Sequence, residues 1–122
     1  MNLPWIQKAG AWLREVQKED GSFGESADSY EEPATKGKGP ATASQTAWGA
    51  MALMAIYGPC DPAVLRALCW LLGTQLESGT WNETWFTGTG FPRVFYLRYH
   101  LYRLYFPVMC LGRWLRLRQA SK

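Results

Sequence analysis

Most residue types that do acid, base or nucleophile chemistry are scattered in this chain. The acids Asp20, Asp28, Glu31, Glu32 and Asp61 fall in polar loops or at a helix cap, where they are expected to stay solvated. His100 has no nucleophile or metal partner at a useful spacing and reads as a structural hydrogen-bonding residue. The three cysteines, Cys60, Cys69 and Cys110, show no C-x-x-C spacing and read as buried free thiols of a reducing compartment. The TGTGFP loop, with Gly88, Gly90 and Pro92, lacks the lysine and hydroxyl of a phosphate loop. It reads as a tight turn that sets Phe91 at the entrance to a helix. What remains is aromatic: ten of eighteen rings lie within the twenty-seven residues from Trp81 to Pro107. Phe95, Tyr99, Tyr102, Phe106 and Met109 recur at helical spacing, so their side chains would share one face. A face of that kind suits the wall of an apolar chamber.

The remaining sequence must position that wall. At 122 residues, with 48% hydrophobic and 19% charged residues, the chain fits one globular domain. Its net charge of +3 comes largely from Arg113, Arg116, Arg118 and Lys122, a solvated helix end that implies no nucleic-acid partner. The opening MNLPWIQKAG has none of the regions of a signal peptide, so export is not expected. The longest nearly apolar run, twelve residues from Ala47 to Gly58, is well short of the ~20 that span a bilayer. Membrane contact would therefore be peripheral.

Self-alignment at an offset of 58 matches Trp12-Leu13, Gln17, Gly21 and Phe23 to Trp70-Leu71, Gln75, Gly79 and Trp81. Such a repeat implies stacked copies of one supersecondary unit, here about 4–57 and 61–118. Each unit opens with an amphipathic helix. Trp5, Ile6, Ala9, Trp12, Leu13 and Val16 form the first apolar stripe. Asp61-Pro62 supplies an N-cap and a first-position proline for the second, whose stripe is Val64, Leu65, Leu68, Leu71 and Leu72. Each unit then closes with an inner helix. The run from Ser44 to Tyr57 is small or apolar on nearly every side. From Arg93 to about Leu117 the aromatic face lies opposite Leu97, Leu101, Leu104, Val108, Leu111 and Leu115, so this helix is expected to bury both sides, with a kink or split at Pro107. The fold class is all-α: helical hairpins forming part of an alpha/alpha barrel.

The Gln-x-x-x-Gly-x-Trp element has a structural rationale. A glutamine at a helix C-terminus can stack its amide on the ring of the following loop and bond exposed backbone groups, tying that helix end to its neighbour. Gln17 with Phe23 and Gln75 with Trp81 fill these positions, and Phe23 lacks the indole donor.

Taken together, KAGAWLREVQKEDGSF, ALCWLLGTQLESGTW, SQTAWGAMALMA and TGTGFPRVFYLRYHLYRLYFP resemble the QW repeats and C-terminal end of bacterial squalene-hopene cyclases, from about Lys8 to Trp114. The resemblance implies a monotopic enzyme on the cytoplasmic side of the bacterial inner membrane, with helical barrels around an apolar cavity. There a squalene-like polyprenoid is protonated and cyclised through carbocations to hopene or hopanol, an isomerase reaction with a lyase or hydratase branch. Rings suit such a cavity because their faces stabilise a cation without offering a base or nucleophile. By position, Phe91, Phe95, Tyr99 and Tyr102 match the substrate- and carbocation-facing residues, and Tyr96, about a quarter-turn away, a bracing one. The family's Asp-x-Asp-Asp proton donor is absent, so no catalytic acid is assigned and the isolated chain is expected to be inactive. No metal or organic cofactor is expected. The implied partners are the remainder of a cyclase or further copies of the chain. Two other readings compete: a stand-alone helical module holding a hydrophobic ligand or partner helix, and a protein prenyltransferase beta subunit. The latter would need an Asp/Cys/His zinc site at ligand spacing, which is missing.

Overall fold

The computed structural model describes residues 2–85, 87–88, 96–97 and 100–122. Four helices carry the fold: α1 (Pro4–Val16), α2 (Ala43–Tyr57), α3 (Pro62–Thr74) and α4 (Tyr102–Ala120). A two-residue antiparallel pair, β1 (Thr87–Gly88) with β2 (Tyr96–Leu97), precedes α4, matching Thr87 to Leu97 and Gly88 to Tyr96. Short 3-10 turns at Ala27–Tyr30 and Pro33–Thr35 order the long loop between α1 and α2.

Helix α2 is the hub. Its small and apolar residues let α1, α3 and α4 all pack on it, and Ala47, Ala50, Leu53 and Met54 are buried there. Thr42 caps its start by accepting from the Gln45 N–H, and Gly58, at φ 91°, follows its end. Asp61 caps α3 by accepting from the Ala63 N–H, with Pro62 at the first position, as the sequence predicts. From α3, Ala63, Val64, Ala67, Leu68 and Leu71 enter the core, whereas Leu65 and Leu72 stay exposed. The α1 stripe is shallower than expected. Ile6, Trp12, Leu13 and Val16 are half-buried, but Trp5 and Ala9 are exposed, because α1 packs mainly against a single helix.

The last helix departs furthest from expectation. It starts at Tyr102, nine residues later than the predicted Arg93, and Tyr96 and Leu97 lie in β2 instead. Leu101 precedes it in αR backbone without a side-chain cap, so no capping residue marks the boundary in the sequence. Nor does Pro107 split it. The proline sits in the second turn, where its missing N–H removes one bond, to Arg103, from a ladder that otherwise continues to Ala120. Of its residues only Pro107 and Cys110 are fully buried. Phe106, Leu111, Trp114 and Leu117 pack beside them, so the buried face lies between the aromatic and aliphatic stripes. The outer parts of both stripes, including Leu101, Val108, Met109 and Leu115, are exposed and do not form the two-sided burial expected.

The cysteines also divide. Cys110 is buried, but Cys60 and Cys69 are exposed, the first in a turn and the second on the outward side of α3. Burial pushes the Cys110 thiol up to about 12, against a smaller downward pull from Arg113. At pH 8 a thiol-specific reagent is expected to titrate two thiols rapidly in the native protein. The third should react only in denaturant, because Cys110 is both inaccessible and almost wholly protonated. Fast native labelling of all three, read by intact mass, would contradict this packing.

Candidate functional site: an aromatic cluster held by two QW ties

The scaffold rests on the two glutamine ties. Gln17, the C-cap of α1, donates its amide to the carbonyls of Gly21 (2.9 Å) and Ala63 (2.8 Å), and accepts from Arg66 (2.6 Å). It thus fastens the end of α1 to the start of α3. Arg14 and Asp61 form an ion pair across the same joint, so Asp61 is not solvated as expected: its side chain is only 7% exposed. Arg14 also lies over the Tyr57 ring, 3.6 Å from its centroid. Gly21 is at φ 92°, and a Cβ there would come within 2.5 Å of the Arg66 carbonyl oxygen, so the repeat's glycine is required twice over. In the loop, the Ser22 hydroxyl foremost, partly offset by burial, and then its N–H hold the Asp20 carboxyl below its ordinary range.

The second tie shares its local half with the first. Gln75 donates to the Gly79 carbonyl at 2.9 Å. Trp81 is buried, and its indole N–H donates to the Leu71 carbonyl at 2.7 Å. Phe23, at the matching place in the first unit, has no such donor. There the Gln17 backbone N–H bonds the Leu13 carbonyl, and Phe23 is held by Thr46, which accepts from its N–H, and by its ring against Gly49.

On this frame sits the aromatic cluster. Arg103 donates to the Trp81 carbonyl at 2.9 Å and contacts His100 Nδ1 at 3.0 Å, pinning the start of α4 to the second tie. Tyr102 is half-buried and meets Trp48 of α2 edge-on, with centroids 5.6 Å apart. Phe106 meets Trp48 at 5.1 Å and Tyr102 at 5.2 Å, and Tyr105 lies 4.5 Å from Phe106. The Trp48–Tyr102, Trp48–Phe106 and Tyr102–Phe106 contacts are edge-to-face, and they fix ring orientation more firmly than aliphatic packing does. Of the predicted wall, Tyr102 and Phe106 are therefore brought together. Tyr96 is removed from the helix into β2, and Phe91, Phe95 and Tyr99 lie outside the described residues.

Two contributors escaped the sequence reading. Trp48 is the one aromatic ring in the middle of an otherwise small and aliphatic inner helix, a signal that was available. Arg103 had no such signal, because its role depends on where the Trp81 carbonyl points.

Trp48 has a second neighbourhood. With Trp12, Val16, Phe23, Tyr30 and Ala52 it lines a cavity of about 440 Å³ between α1, α2 and the 23–37 loop, where Glu25 and Gln45 supply polar groups. Gln45 already donates to the Glu25 carbonyl and accepts from its N–H, so the polar rim is internally bonded. Among the described residues, no group of three histidine, cysteine or acidic side chains could hold a metal, and no helix is long and apolar enough to cross a membrane.

Helical hairpins joined end to end by the Gln17 amide, with rings gathered on the inner pair, define an alpha/alpha-barrel type of protein. The model of the squalene-hopene cyclase C-terminal domain matches residues 1–116, and the chain belongs to that family. It is 48% identical over 123 residues to the squalene-hopene cyclase of Zymomonas mobilis, covering 96% of this chain and 18% of that protein. The Bradyrhizobium diazoefficiens squalene-hopene cyclase is 49% identical over 120 residues, covering 97% and 18% respectively. A dammaradiene synthase of Dryopteris crassirhizoma is 40% identical over 131 residues, covering 96% and 19%. The chain thus spans less than a fifth of the length of these curated relatives.

Proposed function

We propose that this chain forms part of the wall of a cation-cyclisation chamber, acting on squalene or a similar polyprenoid in triterpenoid synthesis. The observation that carries this reading is the Trp48–Tyr102–Phe106 cluster on the two inner helices, in a chain of this family. In the proposed reaction an acid from another part of the enzyme adds a proton to a terminal alkene carbon. Neighbouring π bonds then attack the resulting cation in turn, closing rings, until the last cation loses a proton or captures water. The rings stabilise positive charge and exclude water, without a lone pair basic enough to end the cascade early. Phe91, Phe95 and Tyr99 are proposed to share this role with Tyr102, and Tyr96 to brace them. The proton donor would come from the remainder of a cyclase. Association with the cytoplasmic face of the bacterial inner membrane is proposed on family grounds.

A complementation assay tests this directly. The chain is mixed with a cyclase truncated just before the matching segment and given squalene; pentacyclic product is expected from the mixture and from neither part alone. The cavity between α1 and α2 favours a second reading, a module that holds a hydrophobic ligand by itself. Saturable binding of a small apolar probe to the chain, with no product in the mixture, would favour that reading and sink the first.

A further inference from the structure

The start of helix α2 is interior: Thr42, Ala43, Ser44 and Thr46 are all buried, and the first turn holds no acidic residue of its own. Buried N–H groups at a helix start need acceptors, and the helix dipole favours a negative one. Thr42 serves the Gln45 N–H through its hydroxyl and the Thr46 N–H through its carbonyl. Ser44 is served from 39 residues further along the chain, by the half-buried Glu83. One oxygen of that carboxylate accepts from the Ser44 N–H, at 3.3 Å, and also from the Ser44 hydroxyl.

Where this bond falls gives it a second consequence. Ser44 and Trp48 stand four residues apart in α2 and so share one face of it. Glu83 follows Trp81 by two residues, and after it the chain passes through β1 and β2 to reach Tyr102. The sequence between them carries Phe91, Phe95, Tyr96 and Tyr99. Both ends of that stretch are therefore fastened to the same face of α2. At its exit Tyr102 meets Trp48 edge-on, and Arg103 donates back to the Trp81 carbonyl. At its entry Glu83 holds Ser44, one turn ahead of Trp48. Resting on the reading of this chain as chamber wall, we propose that Glu83 is a positioning residue, which fixes the entry of the ring-bearing stretch on α2 and so sets where its rings stand relative to Trp48. Loss of the carboxylate then changes how the cation cascade ends as well as how stable the chain is. A displaced ring leaves a later cation without its stabilising face, and that cation gives up a proton to water, releasing an incompletely cyclised alkene.

The mixture of the chain with the truncated cyclase and squalene tests this, read as the ratio of incompletely cyclised to pentacyclic product. Glu83→Ala is expected to raise that ratio about tenfold or more. Glu83→Gln, whose amide oxygen can still accept from Ser44, should restore most of the wild-type ratio. Asp61→Ala supplies the comparison, because it removes the cap of a different helix, α3. Both alanine variants should lower the melting temperature by roughly 4–8 °C, but Asp61→Ala should leave the product ratio unchanged. Should Glu83→Ala fail to fold by circular dichroism, Ser44→Ala carries the test. It loses the hydroxyl bond and keeps the N–H one, so the ratio should move in the same direction by less. If the wild-type mixture gives no product, the chamber reading fails and the role of Glu83 falls with it. Product from the wild type with an unmoved ratio in the folded Glu83 or Ser44 variant overturns the positioning role alone, as does an equal shift in Asp61→Ala, and leaves Glu83 a helix cap.

Discussion

Trp81→Ala should destabilise the chain by about 3–5 kcal/mol, the cost of deleting a fully buried aromatic side chain from a packed site. Trp81 is 1% exposed, and it does three things at once: it fills the space beneath α3, donates its indole N–H to Leu71, and offers its own carbonyl to Arg103 at the start of α4. A domain of this size is stable by only about 5–15 kcal/mol, so the loss would leave a substantial unfolded population at physiological temperature. Trp81→Phe separates the contributions. It keeps most of the apolar volume and the backbone carbonyl but strands the Leu71 oxygen, whose remaining side-chain donor, Thr74, is distant at 3.4 Å. A loss of about 1–2 kcal/mol is expected for that stranded bond. Urea titrations followed by circular dichroism read both values. Equal destabilisation by Phe and Ala would mean that the hydrogen bond carries the site, whereas no loss with Phe would mean that it contributes nothing.

The first repeat already carries the phenyl ring, and comparing the two units shows how it is tolerated. At Phe23 the equivalent carbonyl, Leu13, is taken by the Gln17 N–H at 3.1 Å, and the Phe23 backbone is bonded to both Thr42 and Thr46. The ring lies close against Gly49 of α2, where a Cβ would approach it to 2.7 Å. The unit has lost one donor and is anchored by other means, so the missing tryptophan does not leave the loop unattached.

The legibility of this fold followed how local each determinant was. Asp61-Pro62 announced α3 because a cap and a first-position proline act within a single turn. Helix α2 was legible because a helix apolar on all sides has to be interior. The glutamine ties were legible because the repeat printed them twice. Helix α4 was not, since the three-and-four spacing of its rings continues upstream without a break, while the chain turns at His100 and pairs as strand at Tyr96. An aromatic residue in a strand is as well placed as one in a helix, so periodicity alone cannot locate the change. The exposure of Val108, Met109 and Leu115 was equally hidden, because a sequence records that a face is apolar and not whether its neighbour belongs to the same chain. The spacing put Tyr102 and Phe106 on one helix face, where their rings do meet, but it missed Trp48, which approaches them from another helix.

Gln17→Ala should lower stability by about 2–3 kcal/mol, from three hydrogen bonds worth about 1 kcal/mol net each. For a chain of this length that corresponds to a fall of roughly 8–12 °C in the melting temperature. Gln75→Ala, which removes the same chemical group from the same place in the other repeat, should cost about 1 kcal/mol or less. The difference arises because Gln17 spans two helices and Gln75 closes only its own loop. A double-mutant cycle with Arg66→Ala isolates the bridging part: a coupling of about 1 kcal/mol is expected for Gln17 with Arg66, which bond at 2.6 Å. If the two glutamines prove equally costly, the joint between α1 and α3 is held by packing and by the Arg14–Asp61 pair instead. The glutamines would then stabilise only the turns that follow their own helices. A large gap between them would establish that the Gln17 amide is what transmits order from one hairpin to the next.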